Sequence, residues 1–187
     1  VYRDNSGDTD HGGLIGWTSG NSTIKNVIAE GTVYSGDTCG GMIGYSNGNV
    51  TITNSIVKGT VRGKQYGAGF VGFADSNKKD NTVTINNCTN YAYINSRNDN
   101  AGGFIGKAVG AISLTDCNNQ GSVTNNGNTT AGGIIGWIQN GTRKTSFVNC
   151  TNKGSVTSGK DYAGGIIGAD EGTGFGTVSN AHNFGAI

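Results

Sequence analysis

The sequence has 187 residues with 35 glycines, no proline, 13% charged residues and a formal net charge of +1. A charged fraction about half the usual quarter leaves no basic field for nucleic acid and no acidic tail for a basic partner. Apolar runs of only a few residues exclude a membrane span in this segment, and a chain without proline is unlike disordered ones, which recruit proline and charge together.

From residue 12 the chain repeats itself. The stretch "GGLIGW" (12–17) returns as "GGMIGY" (40–45), "AGFVGF" (68–73), "AGGFIGK" (101–107), "AGGIIGW" (131–137) and "AGGIIGA" (163–169). Its first glycine or alanine falls at 12, 40, 68, 102, 132 and 164, giving spacings of 28, 28, 34, 30 and 32 residues. Residues 1–11 read as the tail of a preceding repeat, so 1–187 is expected to be a single repeat array. A second half-motif follows each copy: "TIKNVIAEGTV" (23–33), "TITNSIVKGTV" (51–61), "TINNCTNYAYI" (84–94), "SLTDCNNQGSV" (113–123), "SFVNCTNKGSV" (146–156) and "TVSNAHNFGAI" (177–187). Aligned, these give an apolar column (Ile24, Ile52, Ile85, Leu114, Phe147, Val178) and an amide column (Asn26, Asn54, Asn87, Asp116, Asn149, Asn180). A late column reads Val33, Val61, Ile94, Val123, Val156, Ile187. Because Val1 stands where Val33 does and Ile187 ends in the same column, an excised segment or copies stacking end to end are expected. A start without methionine agrees with a processed or excised segment.

Each repeat holds three short β-branched runs: the glycine motif, the "TIxN" run and the "GxV" run. Asn, Gly, Ser and Thr separate them, as strands broken by turns require. Helical periodicity is not apparent, and Asn and Gly recur too often for long helices. A unit of about 30 residues cannot bury its apolar face alone, so it must stack on its copies. The prediction is an all-β parallel β-solenoid, or β-helix, of about six three-strand rungs spaced about 4.8 Å apart. A six-bladed propeller is the rival, but blades need four strands and about 40 residues. One pattern resists a flat rung. Leu14, Met42, Phe70, Phe104, Ile134 and Ile166 are each followed by a second apolar residue, and neighbours on a strand point to opposite faces. Either the glycines bend the rung, or one row faces outward under a cover.

Chemical candidates are weighed on the same columns. A phosphate-binding loop needs Lys and then Ser or Thr after its last glycine; here Trp17, Tyr45, Phe73, Lys107, Trp137 and Ala169 follow it, and Ala108 follows Lys107. The calcium nonapeptide fails as well, since no Asp follows at the required offset. "DNSGDTD" (4–10) has alternating oxygens but lacks the sixth-position glycine and twelfth-position Glu of a calcium loop. Acids lie mostly in loops and form no fixed column, so no carboxylate pair is expected on one face. His11 and His182 fall in different columns. Cys88, Cys117 and Cys150 share a column with Val27, Ser55 and Ala181, and Cys39 one with His11 and small residues. Cysteine thus replaces small core residues, and a vertical stack does not supply four converging ligands. Parallel Cβ vectors suit a disulfide poorly, so reduced, buried thiols are expected. No metal, cofactor or catalytic residue is predicted. Glycosylation sequons begin at Asn21, Asn49, Asn87, Asn128, Asn140 and Asn149; Asn87 and Asn149 belong to the amide column, which leaves Asn128 and Asn140 as the better acceptors.

Aromatics offer the main surface candidate. Trp17, Tyr45, Phe73 and Trp137 share one column with Lys107 and Ala169, and such a row could stack on sugar rings or a partner chain, or pack beneath a loop.

The recurrent G-[LMFI]-[IV]-G core, present in six copies from Gly12 to Ile187, resembles the GLUG repeat of bacterial surface proteins, which include adhesins and IgA-peptidase-like proteins. The resemblance implies a repetitive extracellular, cell-surface segment without catalytic residues; any peptidase activity in such proteins would lie in another domain. The resulting expectation is a non-catalytic structural segment: a stalk, spacer or fibre-forming part of an adhesin-like protein. Its partners would be its own terminal rungs or a longer array of the same repeats. The alternative is a glycan- or host-surface-binding module using the aromatic column. An ice-binding face, suggested by "TIT" (51–53) and "TVT" (82–84), lacks a regular threonine lattice.

Overall fold

The computed structural model describes residues 9–76, 81–139, 145–171 and 176–187. Among them the chain forms 26 short strands and no helix. Each strand pairs in parallel with its equivalents one repeat earlier and later. The fold is a β-solenoid, and the repeats beginning near 12, 40, 68, 102, 132 and 164 are here rungs 1 to 6. Its strands gather into sheets of six, eleven and nine. The six strands of the first sheet, from His11–Gly12 to Ala163–Gly164, are five turns apart, and the last rung continues towards Ile187. The register follows the sequence columns, with Ile24, Ile52, Ile85, Leu114, Phe147 and Val178 paired in succession.

The glycine motif is not one strand, as its run of β-branched residues suggested; a corner divides it between two sheets. In rung 4 the two-residue strand Ala101–Gly102 ends at a bend, and Ile105–Thr115 then runs through the second sheet. At the bends of rungs 1 to 5 two successive N–H groups donate to one carbonyl of the next rung. Phe70 and Val71 donate to Phe104 O at 3.1 and 2.9 Å, and Phe104 and Ile105 to Ile134 O at 2.8 and 3.2 Å. This bulge-like two-for-one pairing swings the chain so that consecutive side chains both point inward. Met42, Phe70, Phe104 and Ile134 are fully buried, and so are Ile43, Val71, Ile105 and Ile135. Of the two ways to place the double apolar row, the bent rung is the one realised. Phe70 and Phe104 stack with centroids 4.7 Å apart, and burying each such ring contributes on the order of 2–3 kcal/mol. A Cβ on Gly102 would overlap Ile105 O across the bend, and one on Gly103 would overlap Gly133 O of the next rung. The second glycine, present in all six rungs, thus permits the close stacking, whereas at the first position rung 3 carries Ala68.

The amide column turns the chain a second time. Asn26, Asn54, Asn87, Asp116, Asn149 and Asn180 all have φ between 50 and 57°, a left-handed conformation that Asn and Asp tolerate and β-branched residues do not. Their side chains bond along the stack, each nitrogen donating to the preceding rung: Asn54 to Asn26 at 3.3 Å, Asn87 to Asn54, Asn149 to Asp116 and Asn180 to Asn149 at 2.9 Å.

A second, inner amide column was missed by the sequence reading. Asn90, Asn119, Asn152 and Asn183 occupy it in rungs 3 to 6, while Ala29 and Val57 fill it in rungs 1 and 2. Asn90, Asn119 and Asn152 are completely buried. Each inner nitrogen donates to the next oxygen, Asn90 to Asn119, Asn119 to Asn152 and Asn152 to Asn183, every time at 2.7 Å. Its other hydrogen closes a turn on the carbonyl two residues on. The ladder packs against the second glycine of the corner, where a Cβ on Gly103 would collide with Asn119. A signal was present in "TNYA", "NNQG", "TNKG" and "HNFG", an Asn two residues before a small one.

Candidate functional site

On the strands after the corner, side chains alternate across the sheet, so the residue following the last glycine of each motif faces outward. Register places Trp17 beside Tyr45, Tyr45 beside Phe73, Phe73 beside Lys107, Lys107 beside Trp137 and Trp137 beside Ala169. The four aromatic candidates therefore form the expected outer column. Trp17 is 55% exposed, and Tyr45, Phe73 and Trp137 are half-buried.

These rings engage one another. Tyr45 meets Phe73 edge-on at 5.0 Å between centroids, and Tyr66, from the loop before the next corner, meets Phe73 at 5.4 Å. Lys107 Nζ sits 5.0 Å from the Tyr66 ring centre and 4.9 Å from those of Phe73 and Trp137, and donates to Tyr66 Oη at 3.4 Å. Three rings around one ammonium are a cation–π arrangement. The column's interruption at Lys107 is thus filled by a cation that joins Phe73 to Trp137. Sequence reasoning missed Tyr66, which lies outside the repeat columns, and placed Lys107 in the column without a role. Tyr45 donates to Asp75 Oδ2 at 3.0 Å. Burial, reinforced by Asp75, pushes the Tyr45 phenol up to about 12. Burial also raises Tyr66, with Asp99 and Asp37 acting in the same direction. Lys107 is lowered by burial against the opposing pull of Asp99, Asp75 and Glu171. Such a strip can stack on flat or ring-shaped ligands and hydrogen-bond to their edges.

The other candidates stay apart. All four cysteines are buried free thiols, and each of the three stacked ones donates to carbonyls: Cys88 to Asn86 O at 3.2 Å, Cys117 to Thr115 O at 3.3 Å and Cys150 to Val148 O at 3.5 Å. Burial pushes Cys39 up to about 12, and burial with the neighbouring Cys150 raises Cys117 well above the ordinary thiol range. Among the described residues no three His, Cys, Asp or Glu side chains gather closely enough for a metal. His11 Nδ1 lies 2.5 Å from Tyr34 O. His182 pairs with Asn180 and stacks on Phe184, at the far end of the solenoid. Asn128 is exposed in a bend between strands, whereas Asn140 and the first five residues of "DNSGDTD" lie outside the described residues.

No family model matches this sequence, and comparison with curated proteins gives no match. Among solved structures, the chain is similar to one described as a "putative immunoglobulin A1 protease" from Bacteroides ovatus. The TM-score is 0.67 at 20% sequence identity, over 86% of this chain and 57% of that one. At that identity the likeness shows the fold alone. The chain spans little more than half of that protein's length.

Proposed function

We propose that this chain is a non-catalytic structural segment of an extracellular surface protein, a stalk or spacer in a stacked array of GLUG-like repeats. The observation that carries this reading is the pairing scheme: each rung bonds to its immediate neighbours, and among the described residues the inward side chains of rungs 2 to 5 form one continuous buried core. Neighbour-only stacking gives length and stiffness, and tolerates a change in rung number. Deleting residues 102–131, one complete turn, would join rung 3 to rung 5 in register. A spacer should keep its fold and its display on intact cells of the source organism, read by antibody labelling before and after permeabilisation. Labelling only after permeabilisation, or collapse of the deleted chain, would reject the reading.

A second reading is favoured by the exposed Trp17 and the outward strip of Tyr45, Phe73 and Trp137. Aromatic faces of this kind bind sugar rings, so the strip would serve glycans or a host surface. Glycan-array binding that disappears in Trp17→Ala and Tyr45→Ala variants would establish it, and an array blank for the unaltered chain would dismiss it.

A further inference from the structure

The inner amide ladder has a direction. In Asn119, Asn152 and Asn183 the nitrogen end is fixed by the backbone, because Nδ2 donates to the carbonyls of Gly121, Gly154 and Gly185 at 2.8, 2.9 and 2.9 Å. Only the nitrogen of an amide can donate, and it carries two hydrogens. In Asn119 and Asn152 the second one reaches the oxygen of the following rung. Asn183 makes the same turn to Gly185, so its second hydrogen points to where a further rung would lie. Around it the rung 6 face is apolar and open: Val178 is 46% exposed and Ile187 62%, although their neighbours Phe147 and Val156 are buried one rung earlier.

Direction makes the order of rungs matter. Where rung 3 lies on rung 2, Asn90 stands over Val57. This junction leaves no amide hydrogen without a partner: the Asn90 oxygen takes the Ala92 N–H at 3.1 Å, and the nitrogen looks onward to Asn119. The reverse order, an aliphatic rung on an amide rung, would set a methyl over an amide hydrogen. A buried donor with no acceptor costs about 1–3 kcal/mol. Rung 1 of a second copy presents that mismatch, with Ala29 in the inner column.

We propose that the rung 6 face is a docking surface for one further rung of the Asn-x-Gly class, in parallel register, and that it discriminates against aliphatic-class rungs, including rung 1 of another copy of this chain. The inference rests on the structural-segment reading only in taking stacking as the mode of contact. It can fail while surface display stands, and hold if display fails.

The test appends one rung after Ile187. One arm duplicates residues 157–187, which supply Asn in the inner column; the other duplicates residues 34–61, which supply Val and end in the same column. Hydrogen exchange of backbone amides 177–187 and of the Asn183 side chain is read by NMR. The Asn-class rung should protect these sites about tenfold or more beyond the aliphatic rung, the equivalent of about 1.4 kcal/mol. Asn183→Ala should erase the difference while leaving exchange in rungs 3 and 4 unchanged, which shows that the fold persists. Equal protection by both arms, or protection by neither, overturns the proposal. So does concentration-dependent end-to-end association of the unaltered chain, seen by sedimentation, that survives Asn183→Ala.

Discussion

Rungs 1 and 2 solve the same packing problem as rungs 3 to 6 by different chemistry. In both, something must fill the space behind the second corner glycine. In rungs 1 and 2 it is Ala29 and Val57, and the strands Ile28–Tyr34 and Ile56–Gly63 run on unbroken. They pass through Gly31 and Gly59 at φ of 143° and 98°. In rung 3 it is Asn90, and the strand breaks into Thr89–Asn90 and Tyr93–Ser96 around the amide-closed turn. The glycine column changes its purpose with the switch. Gly31 and Gly59 supply positive φ, and Gly59 is crowded by Gly31 O as well, whereas at Gly121 the crowding acts alone, because a Cβ there would overlap Ala92 O of the preceding rung. An aliphatic filler has no direction; an amide filler has one, and it links rungs by hydrogen bonds as well as by packing.

The strongest way to break the aliphatic side of this contrast is Gly59→Ala. The new methyl would be held at positive φ and would overlap Gly31 O, so a loss of about 4 kcal/mol is expected from strain and overpacking together. Gly31→Ala meets open space and should lose only about 1–2 kcal/mol, for its backbone conformation. Urea unfolding of the two variants checks the gap, and equal losses would mean that backbone conformation alone fixes the column. On the amide side, Asn119→Val copies the rung 2 solution in the middle of the ladder. It strands the Asn90 nitrogen and the Gly121 carbonyl, with an expected loss of about 3 kcal/mol. Asn90→Val, at the start of the ladder, strands the Ala92 N–H in place of an upstream amide and should cost about as much in the same assay.

Alkaline pH probes the aliphatic rungs in another way. Cys39 in rung 2 keeps its proton in the folded state up to about 12, against 9.0 for an ordinary thiol, because it is buried. The stabilisation is complete below pH 9 and is lost as pH rises from 9 towards 12, since the unfolded chain ionises first. By pH 10.5 the loss should reach about 2 kcal/mol. Cys39→Ala should remove that share of the loss and leave the share due to Cys117 and Tyr45, which burial also raises, and a variant as pH-sensitive as the unaltered chain would exclude Cys39 as a source.

How much of this was legible in the sequence follows from which physics is periodic. The solenoid, its register and the outer amide column were readable because stacking forces equivalent residues into equivalent places, and Asn26 through Asn180 repeat in all six rungs. The double apolar row could not be resolved, because a corner with two N–H groups on one carbonyl leaves no mark on a pattern of alternation. The inner ladder begins only at rung 3, and Ala29 and Val57 in the same column disguised it as an ordinary variable position. In the aromatic strip the column was legible, but Tyr66 reaches it from a loop, and Lys107 becomes intelligible only once three rings surround it.

The smallest effect concerns the one acid in the outer ladder. Asp116 accepts from Asn149 at 2.9 Å, but a carboxylate has no hydrogen to give back to Asn87. At this rung the series of nitrogen-to-oxygen bonds lapses, although the backbone keeps φ at 53°. Asp116→Asn would supply the missing donor while its oxygen still takes the Asn149 hydrogen. Because these side chains are exposed, water competes and the gain should be about 0.5 kcal/mol. The opposite change, Asn87→Asp, removes the bond to Asn54 and sets two carboxylates on adjacent rungs, for an expected loss of about 1 kcal/mol that shrinks as salt screens the repulsion. Urea midpoints at low and high salt separate the two contributions: a salt-independent loss would assign it to the hydrogen bond, and no gain in Asp116→Asn would show that the exposed ladder, unlike the buried one, follows the backbone turn without helping to hold it.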